Sequence, residues 1–523
     1  MGQQVYRNPV RRDGDFADPF VLRHDGRYYL YSTTPLVDCW TSDDLIHWRL
    51  EGPVLTPDVF PGLVPFAPEV VYADGAFFLY TSPSGHGHHV LRSDTPTGPF
   101  HDVTGNVGHA IDGNVLVDDD GRWYFYWAGD EGIWGCEMPS PTEFGEPVLT
   151  GIHMNGWTEG PFVSKRDGRY HMTLTGNHYL SAGYRIDAAH SDHPLTGWRA
   201  GLLNPIVVST AADFRGLGHS SSVIGPDLVS THLVYHNMNP DLTRHLNVDR
   251  QVWNGPELLV LGPSRQAPVP DPPTHRCDWT EAAAADGWVI EGGALRVEGR
   301  SALLSGVASG GDRGSVAADG PWGSGSGDPW APASGADVSG ADAPGADAPG
   351  SDVPRASARW AIGAVPVLTA ELSVTAEQAA SYGISVDEDG GRRVVFCVDR
   401  ETGRVTVTDR GHEVGALPLP AAFVHEALHT WRIVADGTRF EVFLDGRRQT
   451  VPLAPLGTPA EVGVHVAEGA VRIGHCALTT VTPEGADRRA AVPVPGRFWA
   501  ALTPDAGVGV GPGADAGVVP AAG

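Results

Sequence analysis

Five titratable side chains recur at nearly the same place in a repeated sequence pattern. Each precedes a short apolar run, a turn and a cluster of aromatic residues, and the four acids lie six to nine residues before the glycine of their turn. Like charges held close together separate their pKa values, so that one acid stays protonated near neutral pH while another is ionised. The pattern therefore points to a general acid and a general base. The five residues are Asp18, Glu69, Asp112, Glu159 and His219.

The repeat itself predicts the elements that position these side chains. Its turn glycines are spaced 46 to 49 residues apart, and Asp-Gly pairs between apolar and aromatic runs are typical of β-hairpins. A period of about 45 residues with four strands is typical of a propeller blade. Five copies predict an all-β fold that begins with a five-bladed β-propeller over residues 1–262. The starts of its inner strands would converge at one mouth of a central channel.

The pattern stops after this segment, and the composition changes. Residues 263–277 form a Pro-rich linker, and short alternating runs over residues 278–304 and 357–481 predict a β-sandwich. Residues 305–356 are dominated by Gly, Ala, Ser, Asp and Pro, and we expect a disordered insert there. Residues 482–523 are expected to be a disordered tail.

Charge and cysteine usage exclude several classes of protein. The net charge of −27 argues against binding to nucleic acid or to an anionic membrane, because both favour basic patches. The five cysteines contain no C-x-x-C, so neither a disulfide framework nor a zinc site is expected. The start of the sequence lacks the features of a secretory signal, and no apolar run approaches about 18 residues. We expect a soluble, cytoplasmic protein, and the oligomeric state is open.

A pair of carboxyl groups facing each other across a cleft suits glycoside hydrolysis. Inversion of the anomeric centre needs the two groups roughly 6.5–9.5 Å apart, and retention needs about 5–5.5 Å. An acid at the start of a strand is more often a cap or turn residue, and a repeated structural hydrogen bond could also produce the pattern. Both interpretations stay open on the residues alone.

Short motifs follow one another along the N-terminal half: Asp15-Phe16-Ala17-Asp18-Pro19, Phe66-Ala67-Pro68-Glu69, Ile111-Asp112-Gly113, Thr158-Glu159-Gly160-Pro161, Gly218-His219-Ser220 and the late Arg244. With these motifs, the segment from about Asn8 to Pro256 resembles glycoside hydrolase family 43. The resemblance implies a five-bladed propeller, inversion, and action on arabinosides or xylosides without a required cofactor. It implies that Asp18 is the general base, that Glu159 is the general acid, and that Asp112 orients this acid and tunes its pKa.

Further residues are predicted to contact the substrate, which we expect to be an oligosaccharide. The resemblance implies a substrate contact for Arg244 and a place near the channel axis for His219, where some family members hold calcium or a water cluster. A structural calcium near His219 is therefore an expectation, although no metal ligands are assigned. The remaining candidates are Glu69 and the aromatic residues Phe66, Trp40 and Trp157, for which ordinary blade packing is the alternative.

The expected reaction is exo-acting removal of terminal α-L-arabinofuranosyl or β-D-xylosyl residues. The nearest alternative is a retaining fructosidase-like propeller of family 32, but its Asn-Asp-Pro-Asn opening and its Arg-Asp-Pro and Glu-Cys motifs are absent in the expected order. A catalytically inactive carbohydrate-binding propeller is a second alternative, and a scaffold that associates through its sandwich is a third. The sandwich resembles lectin-like modules appended to families 43 and 32.

Overall fold

Two groups of β-sheets make up the part of the chain that the structure describes. The structure is a computed structural model, and it describes residues 4–277, 279, 288–306, 337–339 and 356–480. Every element assigned in these ranges is a β-strand, and none of these residues belongs to a helix able to cross a membrane. The tail expected at 482–523 and most of the insert expected at 305–356 lie outside the described residues.

Five antiparallel four-stranded sheets follow one another along the N-terminal half, each with its strands in sequence order. The first strands of neighbouring blades contact one another, and the fifth blade contacts the first, so the ring is closed. This is the predicted five-bladed propeller. The blades are β2 (Phe20–His24), β3 (Arg27–Ser32), β4 (Asp38–Ser42), β5 (Arg49–Pro53); β6 (Pro65–Ala73), β7 (Ala76–Pro83), β8 (His89–Ser93), β9 (His101–Asp102); β10 (Ile111–Val117), β11 (Trp123–Gly129), β12 (Gly132–Met138), β13 (Val148–Leu149); β14 (Thr158–Arg166), β15 (Arg169–Gly176), β16 (Arg185–Ser191), β17 (Arg199–Ala200); and β18 (Gly218–Ile224), β19 (Thr231–Met238), β20 (Arg244–Asn254), β21 (Glu257–Val260).

The Asp-Gly pairs turn the chain between the first two strands of a blade. In blade 1, His24 pairs with Arg27, and the two residues between them have φ angles of 46° and 71°. Two consecutive positive φ angles define the type I′ turn that matches the twist of a hairpin. Blades 2 and 4 have the same turn, whereas blade 3 has a longer one because its last strand pair is Val117 with Trp123.

The N-terminal segment closes the ring by binding to the last blade. The short β1 (Val5–Tyr6) pairs with β22 (Ala267–Pro268), beyond the fifth blade. The N–H of Val10 donates to the carbonyl of Leu246 at 2.8 Å, and the N–H of Phe16 donates to the carbonyl of Arg244 at 2.8 Å. The segment before Asp18 therefore lies along β20.

The C-terminal part is a sandwich of two antiparallel sheets around one hydrophobic core. We name the nine-stranded sheet the inner sheet, because it lies against the propeller, and the seven-stranded sheet the outer sheet. The inner sheet contains β23 (His275–Cys277), β25 (Gly293–Glu298), β26 (Ser301–Gly306), β27 (Asp337–Ser339), β29 (Leu368–Glu377), β34 (Leu428–Ala435), β35 (Phe440–Leu444), β36 (Arg447–Arg448) and β38 (Ala470–Thr479). The outer sheet contains β24 (Trp288–Glu291), β28 (Ala356–Ala361), β30 (Ser381–Glu388), β31 (Arg393–Asp399), β32 (Arg404–Asp409), β33 (His412–Pro418) and β37 (Pro459–Ala467).

The inner sheet covers the rear of the propeller, where the hairpin turns of the blades lie. Every blade contributes at least one polar contact to this interface, and a cavity of about 1070 Å³ lies between the channel and the sandwich. The mouth formed by the strand starts is at the opposite end. The contacts, in blade order, are Asp25 with the N–H of His475, Tyr72 with the carbonyl of Leu428, the carbonyl of Asp119 with the N–H of Arg448, Asp167 with Arg439, and the carbonyl of Leu228 with Arg432.

Candidate active site

One backbone feature recurs where the inner strand of each blade begins. A residue with positive φ stands there, and in blades 2 to 5 the pairing register of the inner strand shifts at this point. A left-handed conformation costs an L-residue roughly 1–2 kcal/mol, so the surrounding structure must impose it, and such positions are frequent at active sites. The structurally equivalent residues are Asp18, Ala67, Asp112, Gly160 and His219, with φ angles of 51°, 45°, 59°, 56° and 39°.

Asp18 is surrounded by groups that favour its ionised form. Its Oδ1 is 3.1 Å from Nη1 of Arg244, and its Oδ2 accepts a 2.7 Å hydrogen bond from the hydroxyl of Thr33. The N–H of Ala67 holds that hydroxyl at 2.8 Å, and the N–H of Asp18 donates to Nδ1 of His236 at 3.2 Å. Burial alone would raise the pKa of Asp18, but Arg244, the two nearby histidines and the hydrogen bond from Thr33 together outweigh it and lower the pKa below its usual range. Asp18 is therefore ionised at neutral pH and suited to accept a proton.

Asp112 is buried and has the opposite preference. Burial and the nearby negative charge of Asp18 raise the pKa of Asp112 well above its ordinary value. Its Oδ2 accepts a 3.0 Å hydrogen bond from the N–H of Gly160, the residue that follows Glu159. Asp112 thereby fixes the start of β14 and places its carboxyl beside Glu159.

Glu159 is held at both carboxyl oxygens. The hydroxyl of Tyr184 donates to Oε1, and the indole N–H of Trp157 donates to Oε2. Burial, with a smaller electrostatic contribution from Asp112, raises the pKa of Glu159 to about 7, although the two hydrogen bonds act in the opposite direction. A carboxyl with this pKa carries a proton at neutral pH for a substantial fraction of the time, which suits a general acid.

His219 lies between the two aspartates. Its Nδ1 is 3.4 Å from Oδ1 of Asp18 and 3.6 Å from Oδ2 of Asp112. Calcium takes oxygen ligands, whereas the ring of His219 presents a nitrogen to carboxyls that Arg244 and Gly160 already bind. Within the described ranges, no group of three or more His, Cys, Asp or Glu residues could hold a metal ion. The calcium expected near His219 stays a prediction, and these contacts do not support it.

The geometry thus brings together an ionised carboxylate and a protonatable carboxyl with separated pKa values. Asp18 comes from blade 1 and Glu159 from blade 4. The side chains of His219 and Asp112 lie between the carboxyl groups of these two residues. This arrangement can deprotonate a water molecule at one side of a bound group and protonate a leaving oxygen at another. It is the chemistry that hydrolysis of an acetal such as a glycosidic bond requires.

Comparison with known proteins agrees with this geometry. Residues 6–256 match the family model of the glycosyl hydrolases family 43. The propeller belongs to glycosyl hydrolase family 43. The beta-D-galactofuranosidase xynD of Aspergillus niger is 28% identical over 287 residues, which are 47% of this chain and 82% of that protein. A xylan 1,3-beta-xylosidase of a Vibrio species is 26% identical over 237 residues, which are 39% of this chain and 44% of that protein. A solved thermostable family-43 glycoside hydrolase is 31% identical, with a TM-score of 0.48 over 52% of this chain and 100% of its own.

Membership of family 43 makes this chain a glycoside hydrolase. Among the residues predicted for its site, the structure brings Asp18, Asp112, Glu159, His219 and Arg244 into one cluster of charges and hydrogen bonds. Trp157 contacts the same cluster, although through its indole N–H on Glu159 rather than through a free ring face. Phe66 is partly exposed and lies next to Ala67, at the mouth of the family 43 channel.

Glu69 lies outside the cluster of Asp18, Asp112, Glu159, His219 and Arg244, so the structure does not support its prediction as a substrate-binding residue. It follows the positive-φ residue of its blade by two positions, so its side chain lies in the channel wall and is 5% exposed. The amide of Asn114 donates to both of its oxygens at 3.0 Å, and the N–H of Val115 donates to Oε1 at 2.7 Å. Glu69 thus connects two inner strands through buried hydrogen bonds.

Trp40 is also not available to a substrate, because it is 8% exposed within the core between blades 5 and 1. Its ring lies 5.2 Å from that of Phe16, and the guanidinium of Arg11 lies 4.7 Å above it. The alternative of ordinary blade packing is the correct one for this tryptophan.

Three residues that contact Asp18 or Glu159 were not predicted from the sequence. Thr33 binds Asp18, Tyr184 binds Glu159, and His236 accepts the N–H of Asp18. Thr33 and Tyr184 lie in the connections before the third strands of their blades, and His236 lies on the second strand of its blade. The repeat shows no shared polar residue at these places. The one sequence signal that could have identified Thr33 and His236 is that both lie near the end of a second strand, at the mouth of the channel.

Proposed function

We propose that this protein is an inverting exo-glycosidase that removes terminal α-L-arabinofuranosyl or β-D-xylosyl residues from oligosaccharides. The observation that supports the mechanism is the difference in pKa between the carboxyl groups of Asp18 and Glu159. Arg244 lowers the pKa of Asp18, whereas burial and Asp112 raise the pKa of Glu159 to about 7. One group is thus prepared to accept a proton and the other to donate one.

In the proposed reaction, Asp18 removes a proton from water as that water attacks the anomeric carbon. Glu159 gives its proton to the glycosidic oxygen as the bond to the leaving group breaks. The sugar leaves with inverted configuration, and Glu159 regains a proton while Asp18 releases one. Two carboxyl groups suffice for this chemistry, so no cofactor is required.

The sugar class is proposed from the resemblance and from the names of the relatives. Among them are a xylosidase/arabinosidase of Butyrivibrio fibrisolvens and an alpha-L-arabinofuranosidase of Humicola insolens. The xynD protein of Aspergillus niger acts on galactofuranose by its name, so β-D-galactofuranosides belong in the substrate panel. Hydrolysis rates of the 4-nitrophenyl glycosides of the three sugars measure the preference directly.

Two variants test the assignment of acid and base. Asp18→Asn is expected to lower the activity on every substrate by about 10²–10⁴-fold, because the base is lost. Glu159→Gln is expected to abolish hydrolysis of oligosaccharides. The same variant is expected to keep much of its activity on 2,4-dinitrophenyl glycosides, because their leaving group needs no proton. The matched control is Asp13→Asn, an exposed acid on the same segment whose partner is Arg11.

The pH dependence and the product give independent measurements. Because Glu159 must be protonated and its pKa is raised to about 7, activity is expected to fall as the pH rises through about 7, and Glu159→Gln is expected to lose this alkaline limb. Proton NMR is expected to show the inverted anomer first. A retained product would contradict the single-step mechanism.

A further inference from the structure

The general acid proposed above has two hydrogen-bond donors with different chemical capacities. A tyrosine hydroxyl donates and accepts, whereas an indole N–H only donates. When Glu159 gains or loses its proton, the hydroxyl of Tyr184 can reverse its hydrogen bond, but Trp157 cannot. The oxygen that Tyr184 holds can therefore change its protonation state without losing its partner.

We propose that Tyr184 is a positioning residue that holds the carboxyl of Glu159 in one place through the catalytic cycle and couples it to the general base. This inference rests on the proposed function, in which Glu159 is the acid. Tyr184 touches neither substrate nor water in this role. It acts through Glu159 on one side and through His236 on the other.

The ring of Tyr184 has little freedom to move. The side chain is 1% exposed, and it lies just before β16 with its N–H bound to the carbonyl of Ser181 at 3.1 Å. A Cβ atom on Gly218 would lie 2.0 Å from Cε1 of the ring. The absence of a side chain at Gly218 therefore makes the space that Tyr184 fills, and the position of the hydroxyl is fixed by packing.

The same ring connects the acid to the base. It lies nearly parallel to the imidazole of His236, with an interplanar angle of 14° and centroids 6.0 Å apart. His236 accepts the N–H of Asp18 at Nδ1. Glu159, Tyr184, His236 and the backbone of Asp18 form one continuous chain of contacts. Since the distance between the two carboxyl groups decides between inversion and retention, a rigid connection between them preserves the stereochemical outcome.

Tyr184 keeps its own proton in this role. Burial and the negative charge of Glu159 raise the pKa of Tyr184 well above its ordinary value, so the hydroxyl is not an acid in turnover. The charged and titratable groups that act on Glu159 from the surrounding blades are Asp112, His219, Arg244 and Tyr184 itself. Of these, Tyr184 is the one whose hydroxyl can be removed without changing a formal charge.

The test is Tyr184→Phe, which keeps the ring and removes the hydroxyl. A hydrogen bond to a carboxylate stabilises its ionised form, so its loss raises the pKa of Glu159. The alkaline limb of kcat/KM is then expected to move to higher pH by about one unit. Hydrolysis of an oligosaccharide is expected to slow about tenfold more than hydrolysis of a 2,4-dinitrophenyl glycoside.

The matched control is Tyr126→Phe. Its ring is fully buried in blade 3, and its hydroxyl donates to the carbonyl of Pro194 at 2.9 Å, away from the acids. It loses a bond of the same kind and is expected to leave the alkaline limb in place. Replacement of Tyr184 by 3-fluorotyrosine provides a second, opposite test, because the stronger donor is expected to move the limb to lower pH.

The outcomes separate this inference from the proposed function. If Glu159→Gln hydrolyses oligosaccharides at the native rate, Glu159 is not the general acid. This result would overturn both the proposed mechanism and the role of Tyr184. If Glu159→Gln is inactive on them but Tyr184→Phe leaves the alkaline limb unchanged and slows both substrate types equally, only the role of Tyr184 is overturned. A shift in Tyr126→Phe equal to that in Tyr184→Phe overturns it as well.

Discussion

Asp18 and Asp112 are the same type of residue in equivalent positions of two blades, yet their surroundings favour opposite protonation states. Asp18 has a guanidinium and a hydroxyl on its two oxygens, whereas Asp112 has one backbone N–H and faces the negative charge of Asp18. Electrostatics and burial therefore give different protonation states to two residues that occupy equivalent positions of the repeat. The charge of Arg244 is the largest of the contributions that favour the ionised form of Asp18.

This argument predicts the effect of Arg244→Gln. Loss of the positive charge raises the pKa of Asp18, so the acid limb of kcat/KM is expected to move to higher pH, and kcat/KM at the optimum is expected to fall by about 10–100-fold. The measurement is a pH–rate profile. Arg169→Gln, which removes a surface arginine bound to Asp192, is the control and is expected to keep the native profile. An unmoved acid limb in Arg244→Gln would mean that another group sets the charge of Asp18.

At the scale of elements, buried polar contacts join the inner strands of the propeller. The amide of Asn114 on β10 donates to Glu69 on β6, and its oxygen accepts the N–H of Val163 on β14 at 2.8 Å. One side chain thus links the inner strands of three consecutive blades. Each of its partners is buried, so none can bind water in its place.

We expect Asn114→Ala to destabilise the protein. The change leaves the buried carboxyl of Glu69 with fewer donors and the N–H of Val163 with none, which should lower the free energy of unfolding by about 2–4 kcal/mol. Urea unfolding measures the loss. Asn106→Ala removes two comparable hydrogen bonds in an exposed loop and is expected to have little effect. Similar losses for both variants would show that Asn114 has no special role in joining the blades.

The elements also show what a sequence can and cannot predict. The hairpins and blades follow from the repeated Asp-Gly pairs, because turn chemistry is local. The place of Glu69 does not, because Glu69 lies six residues before its turn glycine, whereas the equivalent residues Asp18 and Ala67 both lie eight residues before theirs. The contact between Tyr184 and Glu159 could not be predicted for a different reason. It depends on the packing of two blades and on the space at Gly218.

At the scale of the whole molecule, the sandwich is an integral part of the propeller's rear surface. The side chains of β29 alternate, and Leu368, Ala370 and Leu372 face the sandwich core. Thr369 and Glu371 point the other way but are also buried, at 3% and 6% exposure. Such an alternation predicts a face open to solvent, so the docking of the two domains could not be predicted from the sequence.

Glu371 forms a buried ion pair with Arg23 of the propeller, and His475 lies beside it. Burial alone would raise the pKa of Glu371, but the charge and hydrogen bond of Arg23, together with His475 and Arg432, hold it below its ordinary value. The pair therefore stabilises the protein above the unfolded pKa of glutamate, and this stabilisation is lost as the pH falls through the folded pKa.

Breaking this pair should be costly. Glu371→Gln leaves the guanidinium of Arg23 buried without its counter-charge, and we expect a loss of about 3–5 kcal/mol in the free energy of unfolding at pH 7. The double variant Arg23→Met/Glu371→Leu is expected to lose much less than the two single changes together. Thermal and urea unfolding measure both. Glu426→Gln, in an exposed pair with Arg400, is the control, and an equal loss there would contradict the argument.

The closure of the ring by the N-terminal segment has a consequence for how the enzyme is made. Asp18 leaves the ribosome early, but Arg244 follows it by 226 residues, on the strand that the N-terminal segment binds. A nascent or truncated chain that ends before β20 lacks both Arg244 and the strand that the N-terminal segment binds, so it cannot form the buried site around Asp18. Catalytic competence is therefore expected only after synthesis has reached the fifth blade and the ring of blades can close.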